Sequence, residues 1–265
     1  MMIFLLEECN NKCPHCVRTD EPMPAGYKLS SEQLEICLED CKKLKSVEWV
    51  HFSGGEPTLW REDGFGLVDL MITIADAGFD PGFTTNGIIF QDYRECENFF
   101  RKYIKNSNRV LRLYLSIDTF HSNFDAVKGR AASLDNILKL VEALIPEEKE
   151  KINLIVMAVI SKDVKSLLPN EMIRHYESLG VDFRFLPLKS MGKAMEFIDL
   201  CPDLSSGKPE DLGAYHKYYK KELAESRDTD NIILIGNDYY FHNPQFRKIA
   251  RLGDLPENII EKYRS

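Results

Sequence analysis

No stretch of the 265-residue sequence approaches the run of about 18 to 20 uncharged apolar residues that a membrane span needs. The opening segment, Met1 to Leu6, is apolar but too short for a signal peptide and lacks its basic flank, so a cytoplasmic protein with no membrane partner is expected. Positive charge is not in excess either. With 34 basic against 42 acidic residues the net charge is −8, which argues against a nucleic-acid partner held through its phosphates and leaves only a local basic pocket open. A paired disulfide framework is also missing. The seven cysteines are odd in number and fall as a tight triplet plus scattered singles, which suits reduced thiols and a metal better than a secreted scaffold. Apolar residues make up 44% of the chain, enough to fill the core of one large domain, or of one domain with a small appendage.

The triplet is Cys9, Cys13 and Cys16, on a loop directly after a short apolar strand, Met2 to Leu6. Soft thiolates select zinc, copper(I) or iron–sulfur clusters, and a structural zinc site wants four protein ligands. A fourth is hard to find nearby. His15 lies inside the loop, where ring geometry works against its joining the same metal, and Cys37 and Cys41 belong to a helix stripe. A 4Fe-4S cluster on the three thiols leaves one iron without a protein ligand, the open position a catalytic metal centre needs. An incomplete zinc knuckle, or three thiols with no ligand role, are the alternatives at this point.

From Ser30 onward strands and helices alternate. Ser30 and Gln33 form a capping box, and Leu34, Cys37, Leu38, Cys41 and Leu44 line one helical face, which makes Cys37 and Cys41 core residues. Val47 to Phe52 is a strand, Gly66 to Ala77 a helix, Phe79 to Thr84 a strand and Tyr93 to Ile104 a helix. Val110 to Ile117 is the fourth strand, Leu134 to Leu144 a helix, and Ile152 to Ile160 an apolar run typical of a strand covered on both faces. Val164 to Leu179 and Val181 to Leu186 add a helix and a sixth strand. This pattern predicts an α/β fold, a partial (β/α)6 TIM-like barrel open on one side, over residues 1–190. A small α+β extension is expected over 191–265, with a hairpin of Asn231 to Ile235 and Tyr239 to His242 about Gly236-Asn237-Asp238. It also holds a helix at Ala214 to Glu225, and Leu252-Gly253-Asp254-Leu255 leading into a last helix, Glu257 to Lys262.

Cys-x3-Cys-x2-Cys with an imidazole just before the last cysteine resembles the radical S-adenosylmethionine (radical SAM) superfamily. Ser53-Gly54-Gly55-Glu56-Pro57 after the second strand, Thr84-Thr85-Asn86-Gly87 after the third and Ser116-Ile117-Asp118 ending the fourth match its motifs in order and approximate spacing. The resemblance implies one 4Fe-4S cluster on Cys9, Cys13 and Cys16, with S-adenosylmethionine on the unique iron. One electron then cleaves the cofactor, and a 5′-deoxyadenosyl radical abstracts hydrogen from substrate. It places His15 near the adenine, Ser53, Gly54, Gly55 and Glu56 at the methionine end, Asn86 further along, and Ser116 at the ribose with Asp118 beside it. Lys128 and Arg130 are the nearest matches to a basic residue that relatives place near the cofactor carboxylate, and His121 is a further pocket candidate. A flavodoxin or ferredoxin is the implied electron donor.

Gly192-Lys193-Ala194 and the strand–turn–strand order beyond it resemble the SPASM/twitch extension of peptide-modifying members, without its cysteines. A single cluster is therefore expected. The implied substrate is a peptide, crosslinked or epimerised, with Cys201 as the candidate hydrogen donor. A small-molecule or nucleotide substrate, as in viperin-like dehydratases, is the alternative. A non-catalytic iron–sulfur scaffold is the third reading.

Overall fold

Apolar strands alternating with one-sided helices can bury their faces in few ways, and a parallel sheet with the helices laid against it is the commonest. The computed structural model describes residues 1–16, 25–43, 47–117, 124–160, 170–188, 231–235, 238–243 and 248–253. For 124–131, 160, 170–173, 185–187 and the three segments after 188 it describes the course of the backbone alone.

The elements run β1 (Met2–Phe4), α1 (Ser31–Lys43), β2 (Trp49–Ser53), β3 (Arg61–Glu62), β4 (Phe65–Gly66), α2 (Leu67–Asp76), β5 (Asp80–Thr85) and α3 (Tyr93–Asn106). They continue with β6 (Leu111–Ser116), α4 (Phe124–Ala143), α5 (Pro146–Lys149), β7 (Ile152–Ile160), α6 (Asn170–Ser178), β8 (Asp182–Pro187), β9 (Asn231–Ile235), β10 (Asp238–Asn243) and β11 (Lys248–Gly253). Strands β1, β2, β5, β6, β7 and β8 are parallel neighbours in that order, the six-stranded open barrel expected. The hairpin β9–β10 forms where the Gly-Asn-Asp turn placed it. Its first strand pairs parallel with β1, Met2 opposite Ile233 and Ile3 opposite Leu234, so the described strands after residue 230 continue the barrel sheet.

Phe83 on β5 meets Phe99 of α3 at 5.5 Å between ring centroids, which fixes the helix-facing side of the sheet. Register then carries that side across the strands: Ile3, Phe52, Phe83 and Leu113 stand in one row. With Val50, Leu111 and Leu115 they are buried with the α1 stripe Leu34, Cys37, Leu38 and Cys41 in a single core. A set of Phe83, Phe90, Phe99 and Phe100, tilted or edge to face, fills the layer under α3, each side chain contributing about 1.5–3 kcal/mol through burial. The capping box is reciprocal as predicted: Gln33 N donates to Ser30 Oγ at 3.1 Å and Ser30 N to Gln33 Oε1 at 2.9 Å.

The structure departs from the sequence pattern in four places, one of them the short helix α5, which the sequence did not indicate. Helix α4 begins at Phe124, well before Leu134. The short hairpin β3–β4 was not foreseen, although its Asp63-Gly64 loop, both residues at positive φ (47° and 86°), is the two-residue turn that joins antiparallel strands. Strand β11 takes Leu252 and Gly253, which the sequence had leading into a helix. The expected helices Ala214 to Glu225 and Glu257 to Lys262 lie outside the described residues. Among the described residues no helix is long and apolar enough to cross a membrane.

The barrel interior holds a buried histidine. His51 is 4% exposed, its Nε2 lies 2.8 Å from Thr84 Oγ1, and the rings of Trp49 and Tyr114 meet it edge-on. Burial above all, with the Met1 ammonium and the Arg112 guanidinium nearby, pushes its pKa from 6.5 down to about 3. The unfolded chain therefore binds a proton that the folded chain refuses. Stability is full above about pH 6.5 and is expected to fall by about 1.4 kcal/mol per pH unit on acidification towards 3. Urea unfolding at pH 7, 6 and 5 checks this, since His51→Phe removes that share of the slope.

Candidate active site

Apart from Lys128 and Arg130, the described candidates sit at the carboxyl ends of barrel strands, the rim on which parallel barrels build their sites. The cysteine loop follows β1, Ser53 ends β2 with Gly54 to Glu56 directly after it, Asn86 follows β5, and Ser116 ends β6. Ser116 belongs to the interior row, in register with Met157 and through it with Arg184. Arg184 lies over the ring of Tyr114 at 5.5 Å, so a guanidinium faces the interior two residues along the β6 side from Ser116.

The Gly-Gly turn is pressed against the chain leading into the cysteine loop. Leu5 N donates to Ser53 O at 2.9 Å, Gly55 N to Leu6 O at 2.6 Å and Glu56 N to Glu8 O at 2.8 Å. Gly54 adopts φ 117°, and a Cβ there would stand 2.8 Å from Leu6 O; on Gly55 it would stand 1.7 Å from Glu8 O. Two successive glycines at a strand end can make room for a ligand's approach. The structure gives them a nearer reason, because both are needed for two backbone segments to lie in contact.

Glu56 is 1% exposed and its carboxylate is held on four sides. Oε1 accepts from Thr58 N (3.1 Å), Thr58 Oγ1 (2.7 Å) and Thr85 Oγ1 (2.7 Å), and Oε2 from Asn86 N (2.8 Å). Burial raises its pKa while these hydrogen bonds pull the other way, with the net shift upward. Its acceptor capacity is directed mainly at the protein, so Glu56 acts as a brace between the ends of β2 and β5. Asn86, 9% exposed, has its Oδ1 on Ile88 N at 3.0 Å and its Nδ2 on Asn10 Oδ1 at 2.7 Å. Thr58, Thr85 and Asn10 are the parts of this network that sequence reasoning missed. Threonines flanking motif residues are a weak signal, and the Asn10–Asn86 partnership spans 76 positions with no local trace.

On the loop itself Cys9 is exposed, while Cys13, His15 and Cys16 are half-buried. Cys16 N donates to Cys13 O at 3.3 Å, turning the segment, and Asn11 N donates to Cys9 Sγ at 3.4 Å. All three cysteines are thiols rather than disulfides. Cys37, Cys41 and Cys96 are buried; burial pushes the Cys96 thiol up to about 12, and a hydrogen bond with Cys37 together with burial raises that of Cys41. The thiols that are not buried are thus those of the loop, among the described residues. Among those residues no three of His, Cys, Asp or Glu converge as a single ion would require. A cubane is met differently, by one thiolate per iron, and three rim thiols on one turn fit it. Asp118, His121 and Cys201 lie outside the described residues; Lys128 and Arg130 fall on α4, where only the backbone is described.

An open parallel barrel with a three-thiol loop after its first strand and a braced Gly-Gly-Glu turn after its second defines a class of barrel proteins equipped to hold a soft metal cluster at the rim. A family model described as the radical SAM superfamily matches residues 3–168, and the chain belongs to that superfamily, whose members use a 4Fe-4S cluster and S-adenosylmethionine. Similar curated proteins include the GTP 3′,8-cyclase of Clostridium perfringens, 26% identical over 203 residues, 74% of this chain and 57% of that protein. The PqqA peptide cyclase of Bradyrhizobium diazoefficiens is 28% identical over 97 residues, 37% of this chain and 24% of that protein. The chain thus spans little more than half the length of the cyclases it matches over most of its own. Among solved structures, anSMEcpe with bound AdoMet and Cp18Cys peptide superposes with a TM-score of 0.58 at 15% identity, covering 98% of this chain and 78% of that one.

Proposed function

We propose that this chain is a single-cluster radical SAM enzyme that modifies a peptide, with Cys9, Cys13 and Cys16 as the cluster ligands. The cysteine inventory carries the reading: of seven, three stand on the rim loop and three are buried in the core, which leaves Cys201 alone and no set for a second cluster. When bound, the cluster and S-adenosylmethionine supply a carbon radical able to take a hydrogen atom from an unactivated position. The chain's own residues bind and orient. Ser53 to Glu56 would hold the methionine end, His15 would serve the adenine, Ser116 and Asp118 the ribose, and Lys128 or Arg130 the carboxylate. In an epimerisation the 5′-deoxyadenosyl radical would take the substrate Cα–H hydrogen and become 5′-deoxyadenosine, and the Cys201 thiol would return a hydrogen atom to the substrate radical from the opposite face, becoming a thiyl radical. One electron from a flavodoxin or ferredoxin and one proton then restore the thiol. The peptide cyclases among the relatives support the peptide reading.

A nucleotide substrate is the second reading, favoured by the GTP 3′,8-cyclases that match most of the chain and by the guanidinium of Arg184 on the barrel interior. An anaerobic assay of reconstituted protein with S-adenosylmethionine and a reductant separates the two. A Cα-deuterated peptide that raises 5′-deoxyadenosine and passes its label into it is the expected result. Stimulation by GTP, with none by peptides, overturns the first reading in favour of the second.

A further inference from the structure

We infer that Asn10 and Asn86 are positioning residues that fix the cysteine loop on the barrel rim and aim a backbone N–H at the Cys9 sulfur. Asn86 has little freedom. Its N–H is committed to Glu56 Oε2 at 2.8 Å and its Oδ1 to Ile88 N at 3.0 Å, so its Nδ2 is presented in one direction, where it donates to Asn10 Oδ1 at 2.7 Å. Rotation of that side chain breaks two bonds at once, in a residue only 9% exposed. The receiving residue stands directly after Cys9, on an exposed stretch of chain.

Backbone bonds from Gly55 and Glu56 already hold positions 6 and 8, and the Asn86 amide holds position 10. The chain is thereby pinned at positions 6, 8 and 10, on both sides of the first thiol. The consequence falls on the next peptide, whose N–H, that of Asn11, donates to Cys9 Sγ at 3.4 Å. Hydrogen bonds to ligand sulfurs disperse thiolate charge and raise a cluster's reduction potential. Releasing Asn10 lets that peptide turn away. The brace Glu56–Asn86–Asn10 thus links the Gly-Gly-Glu turn to the electronics of a cluster ligand. This also gives Asn86 a duty other than the cofactor contact that resemblance suggested.

The inference rests on the cysteine loop being the cluster site, and Cys13→Ala reads that premise separately, since it abolishes bound iron outright if the premise holds. In reconstituted full-length protein, Asn10→Ala is expected to lose iron to a ferrous chelator about tenfold faster than wild type, the usual consequence of removing an outer partner of a metal ligand. Its cluster potential, measured by redox titration, should move to a more negative value. Asn86→Ala removes the donor that Asn10 receives, so it should lose iron as Asn10→Ala does. The double variant should be no worse than either single one. Asn10→Asp retains the acceptor and should restore the wild-type rate of iron loss. A wild-type rate and potential in Asn10→Ala overturns the inference, as does a fast loss that Asn10→Asp fails to rescue.

Discussion

Cys13→Ala is expected to yield a folded protein that carries no 4Fe-4S cluster and forms 5′-deoxyadenosine at a rate lower by about a thousandfold or more. Cys13 is half-buried on the rim loop and contributes nothing to the core, so its truncation leaves the hydrophobic cluster of the barrel untouched. A cluster held by three thiolates has no spare ligand, and a set that acts as a unit fails as a unit when one member is removed. The contrasting variant is Cys96→Ala. That residue is buried in the core, where loss of the sulfur removes packing at about 1–2 kcal/mol and leaves the rim as it was. Iron and sulfide content, the visible iron–sulfur absorbance and the yield of 5′-deoxyadenosine read the first variant, and a thermal unfolding curve reads the second. A Cys13→Ala protein that retains its iron and its turnover would remove the loop from the role assigned to it.

The separation of the two cysteine sets was legible without coordinates, because helical spacing put Cys37 and Cys41 on an apolar stripe and the triplet on a loop, and all five stand as read. Strand β7 has the bounds its apolar run indicated, Ile152–Ile160, and the Ser30–Gln33 box starts α1 as its pattern required. These are features written in neighbouring residues. What stayed hidden depends on contacts across the chain. Nothing near Glu56 says that its carboxylate will collect donors from Thr58, Thr85 and Asn86, and nothing near Asn10 names a partner on another strand. The two-residue strands β3 and β4 are too short to show periodicity, and their Asp63-Gly64 turn is the one local sign of them. His51 is a polar residue in the apolar run that forms β2. It is buried all the same, because alternation turns it to the barrel interior, where Thr84 accepts or donates a hydrogen bond at 2.8 Å and neighbouring rings cover it.

Gly55→Ala is expected to be the most damaging glycine-to-alanine change among the described residues. An added Cβ would stand 1.7 Å from Glu8 O and 2.5 Å from Glu8 C, which are backbone atoms without a rotamer to yield. Relief requires the turn 53–56 and the segment 5–8 to separate, which gives up the bonds Gly55 N to Leu6 O and Glu56 N to Glu8 O. It also moves Glu56, whose four hydrogen bonds brace β2 against β5. Overpacking of this kind, with loss of buried hydrogen bonds, is expected to cost about 4 kcal/mol or more. In a chain of this size that lowers Tm by roughly 10 °C. Gly64→Ala isolates the conformational part. Gly64 also has a positive φ, 86°, but nothing lies within 4 Å of a Cβ placed there, so only the left-handed strain of about 1–2 kcal/mol should appear. Thermal and urea unfolding of both variants in the apo state decides why the second glycine of the turn is there. If Gly55→Ala unfolds like wild type and fails only to bind S-adenosylmethionine, the glycine serves the ligand's approach. If it unfolds early with no ligand present, the glycine serves the contact between the turn and the cysteine loop, and the loop's position is a property of the fold before any cofactor arrives.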